Sequence, residues 1–314
     1  MKTKLSFLPL FFCFALICAF CSNVSAENHP YEFSKLMNVV TYITNRYNNT
    51  YGLCSNSEDT GYYYGTYGHY YQLYFLYSDN LFAYHCLEYF SPLWANKLEA
   101  GLNKYVYPRD TLGFGVLFGE NIGFVQKDAV EHFVYNASDG SLVIYERHEG
   151  SPLTNWHEYA DRVIYQAMQE YQYGSEQTAF NLMHDAVLMY DGKGLYDKGT
   201  IDAGWYSNYK LGLLLYAIWF MNYPTNITIT LETEIWDCQD LDTGGIHSAT
   251  NSTTGEHFGT SNIETSSICI LPYTLSSGDV IPTSKGSQLW YQNPFVYGIV
   301  VIAIVGAIIL IQKW

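Results

Sequence analysis

The sequence predicts an all-α ectodomain with one small β-rich insertion, and three observations support this fold class. Near the N-terminus, apolar residues recur at the spacing of an amphipathic helix: Phe33, Leu36, Val39, Val40 and Ile43. After Pro152, successive helical segments stop at glycine or proline, as the C-termini of helices do. Between residues 111 and 149 apolar residues alternate instead, which is the period of strands.

The N-terminal half contains three predicted helices, over residues 33–47, 79–90 and 95–105. Ser78 is the expected N-cap of the second helix, and Asp79 is favourable in its first turn. Pro92 follows the end of that helix. The tyrosine- and glycine-rich residues 61–71 fit neither the helical nor the strand pattern.

The C-terminal half is predicted to be helical over residues 156–173, 176–190, 206–221, 228–236 and 263–272. The connections are short, so consecutive helices are expected to pack as antiparallel neighbours. The segment 111–149 is expected to form a β-hairpin insertion of two to four strands that is too small for a core of its own.

The two ends predict export and membrane attachment. Residues 1–26 fit a secretory signal peptide, with an uncleaved N-terminal anchor as the alternative. Residues 27–275 form the ectodomain, 276–292 a flexible stalk and 293–314 a transmembrane anchor, unless that tail is exchanged for another anchor. The expected location is the cell surface, with the domain outside and the membrane contacted through the C-terminal helix.

The net charge, the cysteines and the glycosylation sequons restrict the expected partners and covalent modifications. The net charge of −15 repels phosphate backbones, so nucleic acid is not an expected partner. Beyond the signal peptide, the four cysteines allow two disulfides, for which Cys238–Cys269 and Cys54–Cys86 are favoured among three connectivities. Glycosylation sequons begin at Asn48, Asn136, Asn226 and Asn251, as expected of a glycoprotein.

The stretch from Trp236 to Tyr273 concentrates polar chemistry around a Gly244-Gly245 bend. Within it, the residues Gln239–Ile246 open a loop and Asn262–Ser267 start the next helix. With the serial helix pairs, this pattern resembles the α/α-toroid folds of six-hairpin glycosidases and epimerases and of terpenoid cyclases and prenyltransferases. The resemblance implies a toroid-like helical-hairpin barrel. The barrel would be incomplete because the chain has fewer helices than a full toroid.

In such a barrel the loops at one end converge on a central bowl. Segments expected there include 156–161, Asp197 and 206–210. His157 and Asp161 lie one turn apart, which can orient a general base or form a satisfied pair. The turn Asp242–Gly245 carries one residue more than the toroid repeat, so no site residue is transferred from the family.

Glycoside hydrolysis requires one protonated and one ionised carboxyl group across the scissile bond. The candidates for these catalytic roles are Asp242, Glu264 and Asp79. Each also has a structural interpretation: Asp242 as a turn former, and Glu264 and Asp79 as first-turn residues favoured by the helix dipole.

Substrate contacts are expected from His247, His257, Trp156, Tyr206 and Asn80. The 31 tyrosines and seven tryptophans favour stacking on saccharides. No cofactor or metal is expected; zinc at Cys238, His247 and His257 is the alternative, which a Cys238 disulfide would prevent.

The predicted function is therefore carbohydrate processing or binding at the cell surface, glycosidase-like if enzymatic. A non-catalytic module that binds a glycan or a cell-envelope component is the second hypothesis. An isoprenoid-binding toroid with a metal is the third. The sequence leaves the oligomeric state open.

Overall fold

A computed structural model describes residues 33–56, 62–65, 68–71, 74–105, 113–123, 127, 130–136, 141–147 and 149–275. Its α-helices are α1 Phe33–Asn45, α2 Tyr77–Phe90, α3 Pro92–Lys104, α4 Ala160–Tyr173, α5 Glu176–Leu188, α6 Lys198–Ala203, α7 Tyr209–Phe220, α8 Thr228–Asp237 and α9 Ile263–Ile270. Short 3₁₀ helices cover Gly113–Phe118, Trp156–Glu158 and Leu271–Thr274.

The strands of the described residues form four small sheets. They are β1 Tyr47–Asn48, β2 Leu53–Cys54, β3 Tyr62–Gly65, β4 Gly68–Tyr71, β5 Tyr74–Leu76, β6 Val130–Asn136, β7 Leu142–Arg147, β8 Trp205–Ser207, β9 His247–Asn251 and β10 His257–Ser261. β1 pairs with β2, and β3 with β4, both antiparallel. β7 lies between parallel β5 and antiparallel β6, and β9 lies between β8 and β10.

The prediction of an all-α, toroid-like helical-hairpin barrel with a single β insertion is wrong. Three of the four sheets lie outside residues 111–149, and the fourth extends beyond them because β5 pairs with β7. The largest departure is the antiparallel sheet β8–β9–β10. Gly255, with φ of 75°, allows the chain to reverse between β9 and β10, and β9 pairs with β8 on its other edge.

The predicted transmembrane segment 293–314 lies outside the described residues, as do the predicted signal peptide 1–26 and the stalk 276–292. Among the helices that the structure does describe, none combines the length and apolar character needed to cross a membrane.

The core is organised around α7 and α9. Nine of the twelve residues of α7 are buried, because its sequence is apolar on nearly every side. Seven of the eight residues of α9 are buried, and α9 packs against α1, α2 and α7. At the crossing, a Cβ placed on Gly212 would lie 2.5 Å from the Cα of Cys269. Only glycine allows the two backbones to approach so closely.

We expect Gly212→Ala to destabilise this crossing. The new methyl group would meet three backbone atoms of α9: the Cα of Cys269 at 2.5 Å, the carbonyl oxygen of Ile268 at 2.6 Å and the nitrogen of Cys269 at 2.7 Å. The helices must therefore separate, at a cost of about 1–3 kcal/mol of unfolding free energy in urea titrations. Gly199→Ala is the milder comparison, because its methyl group would meet no backbone atom, only the side-chain ends of Asp197 at 3.3 Å and Lys210 at 3.5 Å. Equal stability of the two variants would contradict the close crossing.

Candidate functional site

Of the four described α-helices with an acidic residue in the first turn, three concern this site: α2 with Asp79, α4 with Asp161 and α9 with Glu264. Burial is the largest cause of the raised pKa of Tyr74, and the charges of Asp79 and Glu264 raise that pKa further. Burial is likewise the largest cause of the pKa of Tyr209 lying well above its usual value, followed by the charges of Asp161 and Glu264. The charges of the three carboxylates thus act on two tyrosines, and we call these five residues the acid–tyrosine cluster.

The cluster lies at a surface that solvent partly reaches. Tyr74, Asp161, Tyr209 and Glu264 are all half-buried. Burial by protein atoms is the largest cause of the raised pKa of both tyrosines. Asp79 is only 1% exposed and lies beneath this surface.

Asn56 joins the parts of the cluster that come from different elements. Its side-chain oxygen accepts a hydrogen bond from the Tyr74 hydroxyl at 2.9 Å, and its Nδ2 donates to Asp79. Its backbone carbonyl accepts from the N–H of Ile263 at 3.0 Å. Asn56 therefore fixes the start of α9, and with it Glu264, beside Asp79. No local sequence pattern marks Asn56, because its partners are distant in the chain.

Two cations lie beside Asp161. The Nε of Arg162 is 3.8 Å and the Nζ of Lys210 is 4.0 Å from its carboxylate. Lys210 makes its closer contact with the buried Asp197, at 2.6 Å. Burial alone would raise the pKa of Asp197, but Lys210 and the N–H groups of Ala160 and Thr200 together lower it. This paired carboxylate is therefore charged at neutral pH.

Three of the residues predicted to bind substrate are not members of the acid–tyrosine cluster. Asn80 is buried, and its amide bonds the backbone N–H and C=O of Cys54 and the carbonyl of Leu76. Tyr206 is buried against Gly194 and donates its hydroxyl to Asp191. Trp156 is half-buried and makes an edge-on contact with His157. The described contacts of Asn80 and Tyr206 are those of residues that hold the fold.

Asp242 lies on an exposed turn. Its backbone N–H donates to the side chain of Asp240 at 2.9 Å, which is the role of a turn residue. His247 has its Nδ1 2.9 Å from the carbonyl oxygen of Gly259. The predicted carboxylates thus separate into two groups: Asp79 and Glu264 meet at Tyr74, while Asp242 is exposed on the loop.

His257 contacts Thr250 and Cys238, with its Nδ1 2.9 Å from the Thr250 hydroxyl and 3.4 Å from the Cys238 sulfur. Burial, followed by the charge of His247, lowers the pKa of His257. Burial raises the pKa of the Cys238 thiol to about 12. A thiol that is so weakly acidic is a poor nucleophile and a poor metal ligand.

All four cysteines of the described residues are buried, free thiols: Cys54, Cys86, Cys238 and Cys269. The expected pairs Cys238–Cys269 and Cys54–Cys86 are therefore not bonded in this structure. Among the described residues, no group of three or more histidine, cysteine, aspartate or glutamate side chains is arranged to hold a metal ion.

Comparison with protein-family models, curated proteins and solved structures gives no match to this chain. The role of the acid–tyrosine cluster is therefore inferred from its own chemistry.

Removal of the buried cation should be costly. Lys210→Met leaves Asp197 charged and buried, and we expect a loss of about 3–5 kcal/mol of unfolding free energy. Lys198→Met is the control, because it removes the same group from an exposed i, i+4 pair with Asp202 and should change stability little. Urea titrations of both variants measure this difference, and a Lys210 variant as stable as the control would contradict the ion pair.

The same pair predicts a pH dependence. The lowered pKa of Asp197 means that its contribution to stability is complete above the ordinary carboxyl pKa of about 4. This contribution is lost as the pH falls through the lower, folded-state pKa. The unfolding free energy of Lys210→Met should therefore decrease less than that of the parent between about pH 4 and pH 2. Parallel pH profiles would show that Lys210 does not lower the pKa of Asp197.

Proposed function

We propose that this protein acts on carbohydrate and that the acid–tyrosine cluster is its saccharide site. One observation carries the proposal: the charges of two carboxylates from different helices, Asp161 and Glu264, both act on the half-buried Tyr209. An aromatic face combined with carboxylates is the chemistry that a sugar ring requires. The ring covers the C–H face of the sugar, and the carboxylates accept hydrogen bonds from its hydroxyl groups.

The charge of the cluster favours a neutral or cationic ligand. Three of its five residues are acidic, and the whole chain has a net charge of −15. Phosphorylated or sulfated ligands would be repelled unless they reached Arg162 and Lys210, and Lys210 is buried in its pair with Asp197. A neutral glycan incurs no such repulsion.

Hydrolysis is the second candidate function, and the unequal surroundings of the two carboxylates favour it. Asp161 lies within 4.0 Å of two cations. Glu264 lies beside Tyr74 and Tyr209. A glycosidase needs two such carboxyl groups, one ionised and one that holds a proton. We assign the proton donor to Glu264 and the ionised partner to Asp161, with Asp79 positioning Glu264 from below through Asn56 and Tyr74.

The expected location supports this substrate class. Export by residues 1–26 and tethering by residues 293–314 would present the cluster to glycans or to glycosylated components of the cell envelope. A non-catalytic role there would give binding without turnover.

The carboxylates are tested by Glu264→Gln and Asp161→Asn, each assayed for binding and hydrolysis on a panel of neutral polysaccharides. We expect each change to weaken binding about tenfold, because one charged hydrogen-bond acceptor is lost. If the protein hydrolyses its ligand, turnover should fall by at least about a hundredfold. Asp242→Asn is the matched control, since it makes the same type of change on the exposed turn. The proposal fails if the cluster variants bind as the control does.

The tyrosine is tested by the pair Tyr209→Phe and Tyr209→Ala. Phenylalanine keeps the flat face, so affinity should stay within about threefold of the parent. Alanine removes the face and should weaken binding at least about tenfold. Calorimetric titration with the best polysaccharide of the panel measures both. If the two variants bind equally, the saccharide does not stack on Tyr209.

A further inference from the structure

The outer face of the sheet β8–β9–β10 carries two exposed aromatic rings. Trp205 in β8 is 44% exposed and Phe258 in β10 is 39% exposed. Their ring centroids lie 6.3 Å apart in an edge-to-face contact, so both rings lie on one side of the sheet. The opposite side holds Tyr206 and Thr250, which are buried. The sheet therefore has one packed face and one aromatic face open to solvent.

Strand register places Asn251 on the aromatic face. Asn251 in β9 is the direct antiparallel partner of Trp205, and directly opposed residues have their Cβ atoms about 5 Å apart on the same side of a sheet. Asn251 is also the first residue of the sequon Asn251-Ser252-Thr253. Among the described sequons, this one thus places its asparagine directly opposite an exposed tryptophan.

The local hydrogen bonds present the amide nitrogen of Asn251. Its Oδ1 accepts from the N–H groups of Thr253 and Thr254, each at 2.9 Å. Within the described part of the chain, no residue accepts a hydrogen bond from its Nδ2. Asn251 is half-buried at the end of β9, and Thr253 is exposed in the turn that follows. The sequon therefore runs from a half-buried asparagine into an exposed turn.

We propose that Asn251 carries an N-linked glycan whose first sugars lie on the Trp205 ring, with Phe258 supporting that ring from the side. The donor is a lipid-diphosphate-linked oligosaccharide, and the expected export of the chain would bring the two together. The C1–O bond to the diphosphate breaks and the C1–Nδ2 bond forms. Nδ2 gives up one proton, and the lipid diphosphate leaves with the bonding electrons. The exposed aromatic face is then covered by the protein's own glycan.

Occupancy is tested on the full chain expressed in a host with oligosaccharyl transfer, by mass spectrometry of glycopeptides. We expect Asn251 to be modified in the parent. Thr253→Ala should abolish the modification while leaving the Asn251 side chain in place, and Thr253→Ser should preserve it. An unmodified Asn251 in the parent, whether or not Asn226 is occupied, would overturn the proposal.

The contact with Trp205 is tested by enzymatic removal of the glycan. In the parent, removal should lower the unfolding midpoint by about 2 °C. In Trp205→Ala, removal of the glycan should not shift the unfolding midpoint. If the alanine variant does not fold, Trp205→Leu takes its place, because leucine keeps apolar bulk without a flat face. Asn226→Gln is the control and should keep the parent's shift, since Asn226 is an exposed asparagine outside this sheet. An undiminished shift in the Trp205 variants would show that the glycan does not lie on that ring.

Discussion

A lysine ammonium that is buried must be paired, and the pairing of Lys210 with Asp197 organises one side of the site. The two carboxylate oxygens of Asp197 serve three elements. One accepts from Lys210 of α7 and from the N–H of Ala160 at the start of α4. The other accepts from the N–H of Thr200 in α6. The relative positions of Asp161 and Tyr209 in the acid–tyrosine cluster therefore depend on Asp197, which is not a member of the cluster.

The other side of the cluster depends on how closely α9 approaches its neighbours. Gly212 lets the backbone of α9 lie against α7, and Asn56 holds the first residue of α9 by its N–H. Both contacts act on the backbone of α9, so they fix where the main chain places Glu264. Stability and site geometry are thus coupled here, because a shift of α9 moves Glu264 relative to Tyr209.

Much of the helical structure was predictable from sequence, because its signals are local. The apolar spacing and the proline or glycine stops placed α1, α2 and α5 within a few residues of their observed bounds. The strands β8, β9 and β10 were missed because they are short and polar, and because β8 pairs with a strand some 40 residues away. The choice of Glu264 and Asp79 rested on residue type, whereas their meeting at Tyr74 requires Asn56, which no periodicity marks.

All three acids lie in the first turns of helices, and this placement has opposite energetic effects on the two proposed roles of the site, saccharide binding and hydrolysis. A helix N-terminus stabilises a carboxylate by about 0.3–1 kcal/mol, which suits an acceptor of sugar hydroxyl groups and opposes a proton donor. Hydrolysis therefore needs a counteracting effect at one carboxyl group. Like charges supply it, since neighbouring carboxylates resist simultaneous ionisation. Asp161 has two cations beside it, whereas the charge of Glu264 acts on the buried rings of Tyr74 and Tyr209, so Glu264 is the proposed proton donor. Binding requires only the cluster as it stands, whereas catalysis requires that repulsion among its acids exceed the dipole of α9.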